Sequence, residues 1–272
     1  MKKFVCTLVA LMMALACFAG CSSPAAEPAA AETAPAGENA ASGGTIKIGM
    51  LAPLTGAVAE YGQAVANGVR MYTEELNAKG GVNGKQIELV EYDEEGDSAK
   101  AVTGYNSLVD QDVTAIIGDV TTAPTVAVVV ESQADKMPMI TAPATAAAVT
   151  VDQDSGAVYE NMFRSCFIDP FQGNKMASFA SEKMSAKTAA ILYNTGSDYS
   201  IGLSDSFQEQ AKAIGLEVVA VESFADGATE FQSQLTNIAA KNPDVLFVPD
   251  YYSVVALVAQ QASAAGLTAT MI

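Results

Sequence analysis

The chain has 272 residues, half of them apolar, with 31 acidic against 14 basic side chains for a formal charge of −17, and no histidine at all. Nucleic acid is excluded as a partner, because binding it requires clustered Lys and Arg to replace counterions. Without histidine the commonest general base and metal ligand are missing, and with them every Ser–His or Cys–His pair, so neither catalysis nor a cofactor is expected.

Residues 1–20 carry Lys2-Lys3 followed by an apolar run, the pattern of an export signal. The run ends at Phe18-Ala19-Gly20-Cys21-Ser22-Ser23, which resembles the lipobox of bacterial lipoproteins, although Phe18 stands where an aliphatic residue is usual. Cys21 is the expected lipidated N-terminus, ordinary signal cleavage with a spare cysteine being the alternative. Loss of Lys2 and Lys3 leaves 12 basic and 31 acidic residues, a formal charge of −19. Cys166 is then alone in the exported part, excluding an internal disulfide, and its neighbours Phe167 and Ile168 suit a packed apolar thiol. Residues 22–44 are chiefly Ala, Pro, Glu, Ser and Gly, and with Cys21 at its head the segment 21–44 reads as a flexible tether. Elsewhere no run of about 20 apolar residues could span a bilayer. The expected location is the extracytoplasmic face of the cell membrane, touched only through the lipid.

From Thr45 the pattern is strand, loop, helix, strand. Ile46–Leu51 is a short apolar run and Ala64–Leu76 has helical spacing; Lys79-Gly80-Gly81 stops the helix, and a second strand follows at 86–92. Ser98 is placed to cap the next helix, and a third strand is expected at 113–117. A helix at 127–134, a strand at 138–140 and a short strand at 159–164 complete a first α/β half, residues 45–166. The second half, 167–272, repeats the alternation, with helices at 171–184, 200–214, 231–240 and 254–264 and strands at 188–193, 216–221, 245–248 and 268–272. The fold class is α/β, two Rossmann-like lobes with parallel sheets meeting at a hinge.

Open α/β sheets hold ligands beyond the carboxyl ends of their strands. There stand Leu54-Thr55-Gly56 with Tyr61, Gly118 to Thr122, and Thr141 to Thr145 in the first half; Asn194 to Tyr199 and Pro249 to Tyr252 follow in the second. Thr122 and Pro124 lie where a helix begins, so backbone N–H groups and a hydroxyl suit a carboxylate without any basic residue. Thr122 and Thr145 fit helix capping equally well, and the tyrosines fit ordinary packing. Asp119 and Asp250 are read as solvated strand-end carboxylates. Asp93 to Asp97 is read as a solvated acidic loop lacking EF-hand spacing. Neither glycine-rich phosphate fingerprint is present.

TIKIGMLAPLTGAVAEYG, NAKGGVNGKQIELVEYDEEGD, AIIGDVTTAPT, MITAPATAA, FRSCFIDPFQG and YNTGSDYSIG, in this order, resemble the branched-chain amino acid binding proteins of bacterial ABC importers. The resemblance covers essentially Thr45 to Ile272. It implies the class I periplasmic-binding-protein fold, a monomeric Venus flytrap that closes on a small amino acid and delivers it to a membrane permease. It implies that Thr122 holds the ligand carboxylate and Thr145 lies near the amino group. Tyr61, Tyr199 and Tyr251 would line the cleft from both lobes, and Asp169 would be an acidic cleft residue. Pro143 or Ala144 would supply a backbone contact, the family having Ala or Ser where Pro143 falls. Pro249-Asp250 stands where glycines are frequent. Members also continue past the position of Ile272 with an acidic partner for the ammonium group and then complete the first lobe. A sensory ligand-binding module, or a site for a short amide or urea-type solute, is the alternative reading.

Overall fold

The computed structural model describes residues 43–272; the export signal, Cys21 and the tether up to residue 42 fall outside the described residues. The first sheet is built from β1 (Gly43–Ala52), β2 (Lys85–Asp93), β3 (Ala115–Ile117), β4 (Met139–Thr141) and β5 (Met162–Arg164). They are joined through α1 (Ala59–Ala78), α2 (Ser98–Val109) and α3 (Thr122–Glu131). The second holds β6 (Thr188–Asn194), β7 (Glu217–Phe224), β8 (Val245–Phe247) and β9 (Thr270–Met271), with α4 (Asp169–Glu182), α5 (Asp198–Ile214), α6 (Gln232–Ala239) and α7 (Tyr252–Ala264).

Every pairing between these strands is parallel, in the orders β2-β1-β3-β4-β5 and β7-β6-β8-β9. Each order reverses direction once, between β1 and β3 and between β6 and β8. Crossovers leave these two points on opposite faces, which opens a crevice beyond the strand ends. The two-lobed parallel α/β class expected from the sequence is the one found.

Strand periodicity explains the cores. In β6, Ala189 and Ile191 point to one face, where they meet Leu203, Phe207 and Phe247; Ala190 and Leu192 point to the other, against Phe224, Phe231 and Leu246. Phe207 and Phe247 stack at 4.6 Å between centroids. The first sheet sends Leu51, Ile116 and Met139 toward Tyr105, Leu108 and Val128. Each such fully buried side chain contributes about 1.5–3 kcal/mol. Its opposite face carries α1 beside an apolar cavity of about 600 Å³ bordered by Ile48, Tyr72, Ile117, Ile140 and Phe163, whose lining holds no charged side chain.

Several boundaries differ from expectation. α3 starts at Thr122, not 127, because Pro124 sits in the first turn, where a missing N–H costs nothing. The cap of α2 is Asp97, whose carboxylate accepts from Lys100 N at 2.8 Å, and Ser98 is the first helical residue. β1 runs back to Gly43, which pairs with Lys85. Two glycines bring backbone into the crevice. At Gly118 φ is 137° and a Cβ would lie 2.2 Å from Leu51 O, so only glycine lets β3 turn against β1 there. At Gly62 a Cβ would meet Pro53 O at 2.0 Å, so glycine lets α1 press on the loop after β1 and carries Tyr61 over the strand ends.

Candidate ligand-binding cleft

A cavity of about 240 Å³ lies between the lobes, lined by Tyr61, Thr122, Pro143, Thr145, Tyr199 and Tyr251 together with Val120, Thr121, Phe167 and Gln172. The first group consists of residues expected from the sequence. Each follows the carboxyl end of a strand: Tyr61 after β1, Thr122 after β3, Pro143 and Thr145 after β4, Tyr199 after β6, Tyr251 after β8. No lining residue carries a formal charge, so the cavity is neutral.

Thr122 is 2% exposed, and its hydroxyl is buried with no hydrogen-bond partner. It does not cap its helix: Thr121 occupies that position and makes no side-chain cap either. The Thr122 N–H donates to the Tyr251 hydroxyl at 3.4 Å, a long contact between a first-turn amide of one lobe and a phenol of the other. Free N–H groups at such a helix start, with a hydroxyl beside them, favour an anionic group. Thr145 is 6% exposed, and its carbonyl accepts from Asp169 N at 3.1 Å.

The tyrosines form a row across the lobes. Tyr252 lies 5.3 Å from Tyr61, Tyr61 5.8 Å from Tyr251, and Tyr251 stacks on Tyr199 at 5.1 Å with rings 5° apart. Gln172 Nε2 donates to the Tyr199 hydroxyl at 3.2 Å, leaving the phenolic hydrogen to be donated elsewhere. Burial pushes the Tyr199 phenol up to about 12 and raises Tyr61 and Tyr251 as well, so all three are hydroxyl donors at neutral pH.

Two expected site residues stand apart. Ala144 is 1% exposed and packs in the first core; its carbonyl accepts from Arg164 Nη1 at 3.2 Å and from the Cys166 thiol at 3.4 Å. Pro143 is therefore the lining member of the pair. Asp169 is the first residue of α4 and borders a neighbouring cavity with Asp198 and Asp205. Burial raises its carboxyl to about 6, while the Thr145 hydroxyl and the Arg164 charge pull the other way. Cys166 is half-buried, not a fully packed thiol. Phe167 and Gln172 join the lining without a signal in the sequence: Phe167 lies between β5 and α4, 51% exposed and 5.7 Å from the Phe171 ring, and the run of polar and apolar residues there has no periodicity to mark it.

The acidic residues need the largest correction. Asp119 and Glu94, read as solvated, are both 0% exposed. Asp119 is turned inward by Gly118 and held by Thr141 Oγ1, which donates to its carbonyl at 2.6 Å. Glu94 is folded under its own loop, accepting from Gly96 N at 2.6 Å. Asp250 is half-buried with Oδ2 unpartnered, and burial raises its carboxyl above the ordinary range. Among the described residues no group of three acidic or thiol side chains is arranged to hold a metal ion, and no helix is long and apolar enough to cross a membrane.

Residues 45–272 match the periplasmic binding protein family. The chain is 30% identical to the leucine-, isoleucine-, valine-, threonine- and alanine-binding protein of Pseudomonas aeruginosa over 225 residues, 83% of this chain and 59% of that protein. A Leu/Ile/Val-binding protein homolog of Brucella melitensis is 29% identical over 84% of this chain and 60% of its own length. Among solved structures, the substrate-binding protein of the Streptococcus pneumoniae branched-chain amino acid transporter, in complex with isoleucine, superposes with a TM-score of 0.75 at 34% identity, covering 84% of this chain and 63% of that one. The leucine-binding protein of Thermotoga maritima gives the same TM-score at 33% identity, with 84% and 62% covered. The chain thus spans about 60% of the length of these relatives, each of them a solute-binding protein by name. Parallel lobes in this strand order, a neutral crevice at both switch points and the match over 45–272 place the chain in the periplasmic binding protein family.

Proposed function

We propose that the protein is the extracytoplasmic solute receptor of an ABC importer, a monomeric lipoprotein anchored through Cys21 that binds a small amino acid of the branched-chain type between its lobes and hands it to the permease. The observation that carries this reading is the convergence, in one uncharged cavity, of the buried unpartnered Thr122 hydroxyl, Thr145 and tyrosines from both lobes. In this reading the ligand carboxylate meets the Thr122 amide and hydroxyl and its ammonium lies toward Thr145. Tyr61, Tyr199 and Tyr251 enclose it and Pro143 closes one wall. The cavity volume, about 240 Å³, suits a single small solute. Binding favours the closed arrangement because only there do both lobes touch the ligand.

An aromatic carboxylate is the competing solute class, supported by the ring-rich lining and by a solute-binding protein of R. palustris solved in complex with benzoate, 26% identical with a TM-score of 0.70. A thermal-shift and calorimetric screen of the twenty amino acids, short amides, urea and benzoate separates them. Stabilisation by leucine, isoleucine or valine supports the proposal; stabilisation by benzoate alone replaces the ligand class, and none by any compound overturns the receptor reading.

A further inference from the structure

Directly behind the Val120–Thr122 turn lie two carboxyl groups with no cation to neutralise them. Glu94 and Asp119 are each 0% exposed. Asp119 Oδ1 accepts from Val120 N, and Glu94 Oε2 accepts from Gly96 N at 2.6 Å. The remaining oxygens, Glu94 Oε1 and Asp119 Oδ2, are buried and meet no donor among the described residues. Glu94 N donates to Ala52 O on one side of β1, and on the other Gly118, next to Asp119, packs against Leu51 O, so the two sealed carboxyls flank the end of one strand; two carboxyls sharing such a site can bond only if a proton lies between them.

The surroundings supply no counter-charge. Within the same loop Asp93 adds negative potential, its own oxygens engaged by Leu54, Thr55 and Glu95. Asp97 caps α2, and Lys100, the basic residue of that helix, pairs with Glu95 at 2.7 Å on the surface. Glu60 near the start of α1 is exposed. Leu51 and Ala52 of β1, Thr141 of β4 and the uncharged first turn of α3 bring no charge. Across the adjoining cavity the second lobe presents Asp226 and Asp250. Each charged neighbour without a partner is acidic. Both carboxyls of the pair are accordingly raised, Glu94 to about 7 by burial and Asp119 well above the carboxylate range by burial and the nearby Glu94.

We propose that Glu94 and Asp119 are a proton-sharing pair that positions the Val120–Thr122 turn for an anionic group while protonated, so that a proton and the ligand carboxylate are held together by this lobe. The inference rests on the reading of Thr122 as the carboxylate anchor. The physical reason is direct: an ionised pair would oppose the anion at the helix start and repel its own second carboxylate in a site without water contact.

The test is the pH profile of leucine binding and of melting temperature for the wild type, Asp119→Asn and the double variant E94Q/D119N. Both groups have folded values above their unfolded ones near 4, so the stabilising proton is fully held below that range and lost as pH rises through about 7. The wild type should bind leucine roughly tenfold more weakly at pH 8.5 than at pH 5.5 and melt on the order of 5 °C lower. Asp119→Asn, with one carboxyl left and Asp93 as its remaining acidic neighbour, should shift both midpoints to lower pH, and the double variant should be flat in both. A flat wild-type profile, or a wild-type profile surviving in the double variant, overturns the pair; if the double variant fails to fold, an unmoved midpoint in Asp119→Asn does the same. If the wild type binds no amino acid, the receptor reading fails, and the melting profiles still decide the pair on their own.

Discussion

The hydroxyl of Tyr251, carried by the second lobe, lies 3.4 Å from the backbone N of Thr122 at the first turn of α3 in the first. Thr122 Oγ1 beside it has no partner. A solute carboxylate entering there would take over the amide and satisfy a hydroxyl whose burial otherwise costs free energy. Thr122→Ala should leave the melting temperature of the ligand-free protein nearly unchanged while weakening leucine binding by about 1–2 kcal/mol, a factor of roughly 5–30. Thr122→Ser should restore it. Calorimetric titration of the two variants reads the difference.

Phe167 offers a half-exposed ring to the cavity, steadied by Phe171 at 5.7 Å. Its apolar surface suits a ligand's hydrocarbon side chain, and burying such surface is worth about 25 cal/mol per Å². Phe167→Ala should therefore weaken leucine more than alanine, narrowing the ratio of their dissociation constants several-fold. An equal loss for both ligands would mean that the ring only supports the fold.

Arg164 at the end of β5 ties down the loop that presents Pro143 and Thr145. Its guanidinium donates to Ala144 O at 3.2 Å, Ala146 O at 2.9 Å and Thr150 Oγ1 at 2.6 Å. Arg164→Ala removes these three bonds, leaving Ala144 O with only the Cys166 thiol and Ala146 O with only Val149 N, at roughly 2–4 kcal/mol. The expected result is a melting temperature lower by on the order of 10 °C and weaker ligand binding, with Arg164→Lys recovering only part because a point charge cannot satisfy three acceptors in a fork.

Asp93 works in the opposite pH direction from the Glu94–Asp119 pair. Burial alone would raise its carboxyl, but hydrogen bonds from the Thr55 hydroxyl and from the amides of Thr55, Glu95 and Leu54 outweigh it and hold the group below its ordinary value. Its contribution is present above the unfolded value near 4 and is lost as pH falls through the lower folded value. Asp93→Asn should be less stable than wild type at pH 7, with the gap closing near pH 3 in thermal melts.

Cys21 tests the anchor. In the native host the wild type should fractionate with membranes, and Cys21→Ser should release it in soluble form. Membrane retention by the serine variant would remove the lipid from the proposal.

Much of this was legible in the residues. The α/β alternation follows from short apolar runs separated by helically spaced stripes, and the strand ends mark the loops that carry Tyr61, Thr122, Thr145, Tyr199 and Tyr251. Ala144 and Asp169 were less legible, because a position one or three residues along a loop faces the core or a neighbouring cavity according to contacts made elsewhere, Ala144 through Arg164 and Asp169 through the start of α4.

By itself the sequence determined the class of fold and the order of its elements, since these depend on periodicity; the neutrality of the crevice depends on Asp119, Asp169 and Asp250 lying outside its lining, which the folded chain sets. Tertiary structure alone decided that Glu94 and Asp119 are each sealed from solvent, that Thr122 keeps an unpartnered hydroxyl, and that Phe167 joins the lining. The reason is that a polar residue in a loop carries no local signal of its burial: Glu94 is covered by its own turn and Asp119 is turned inward at Gly118, against a strand more than sixty residues earlier in the chain.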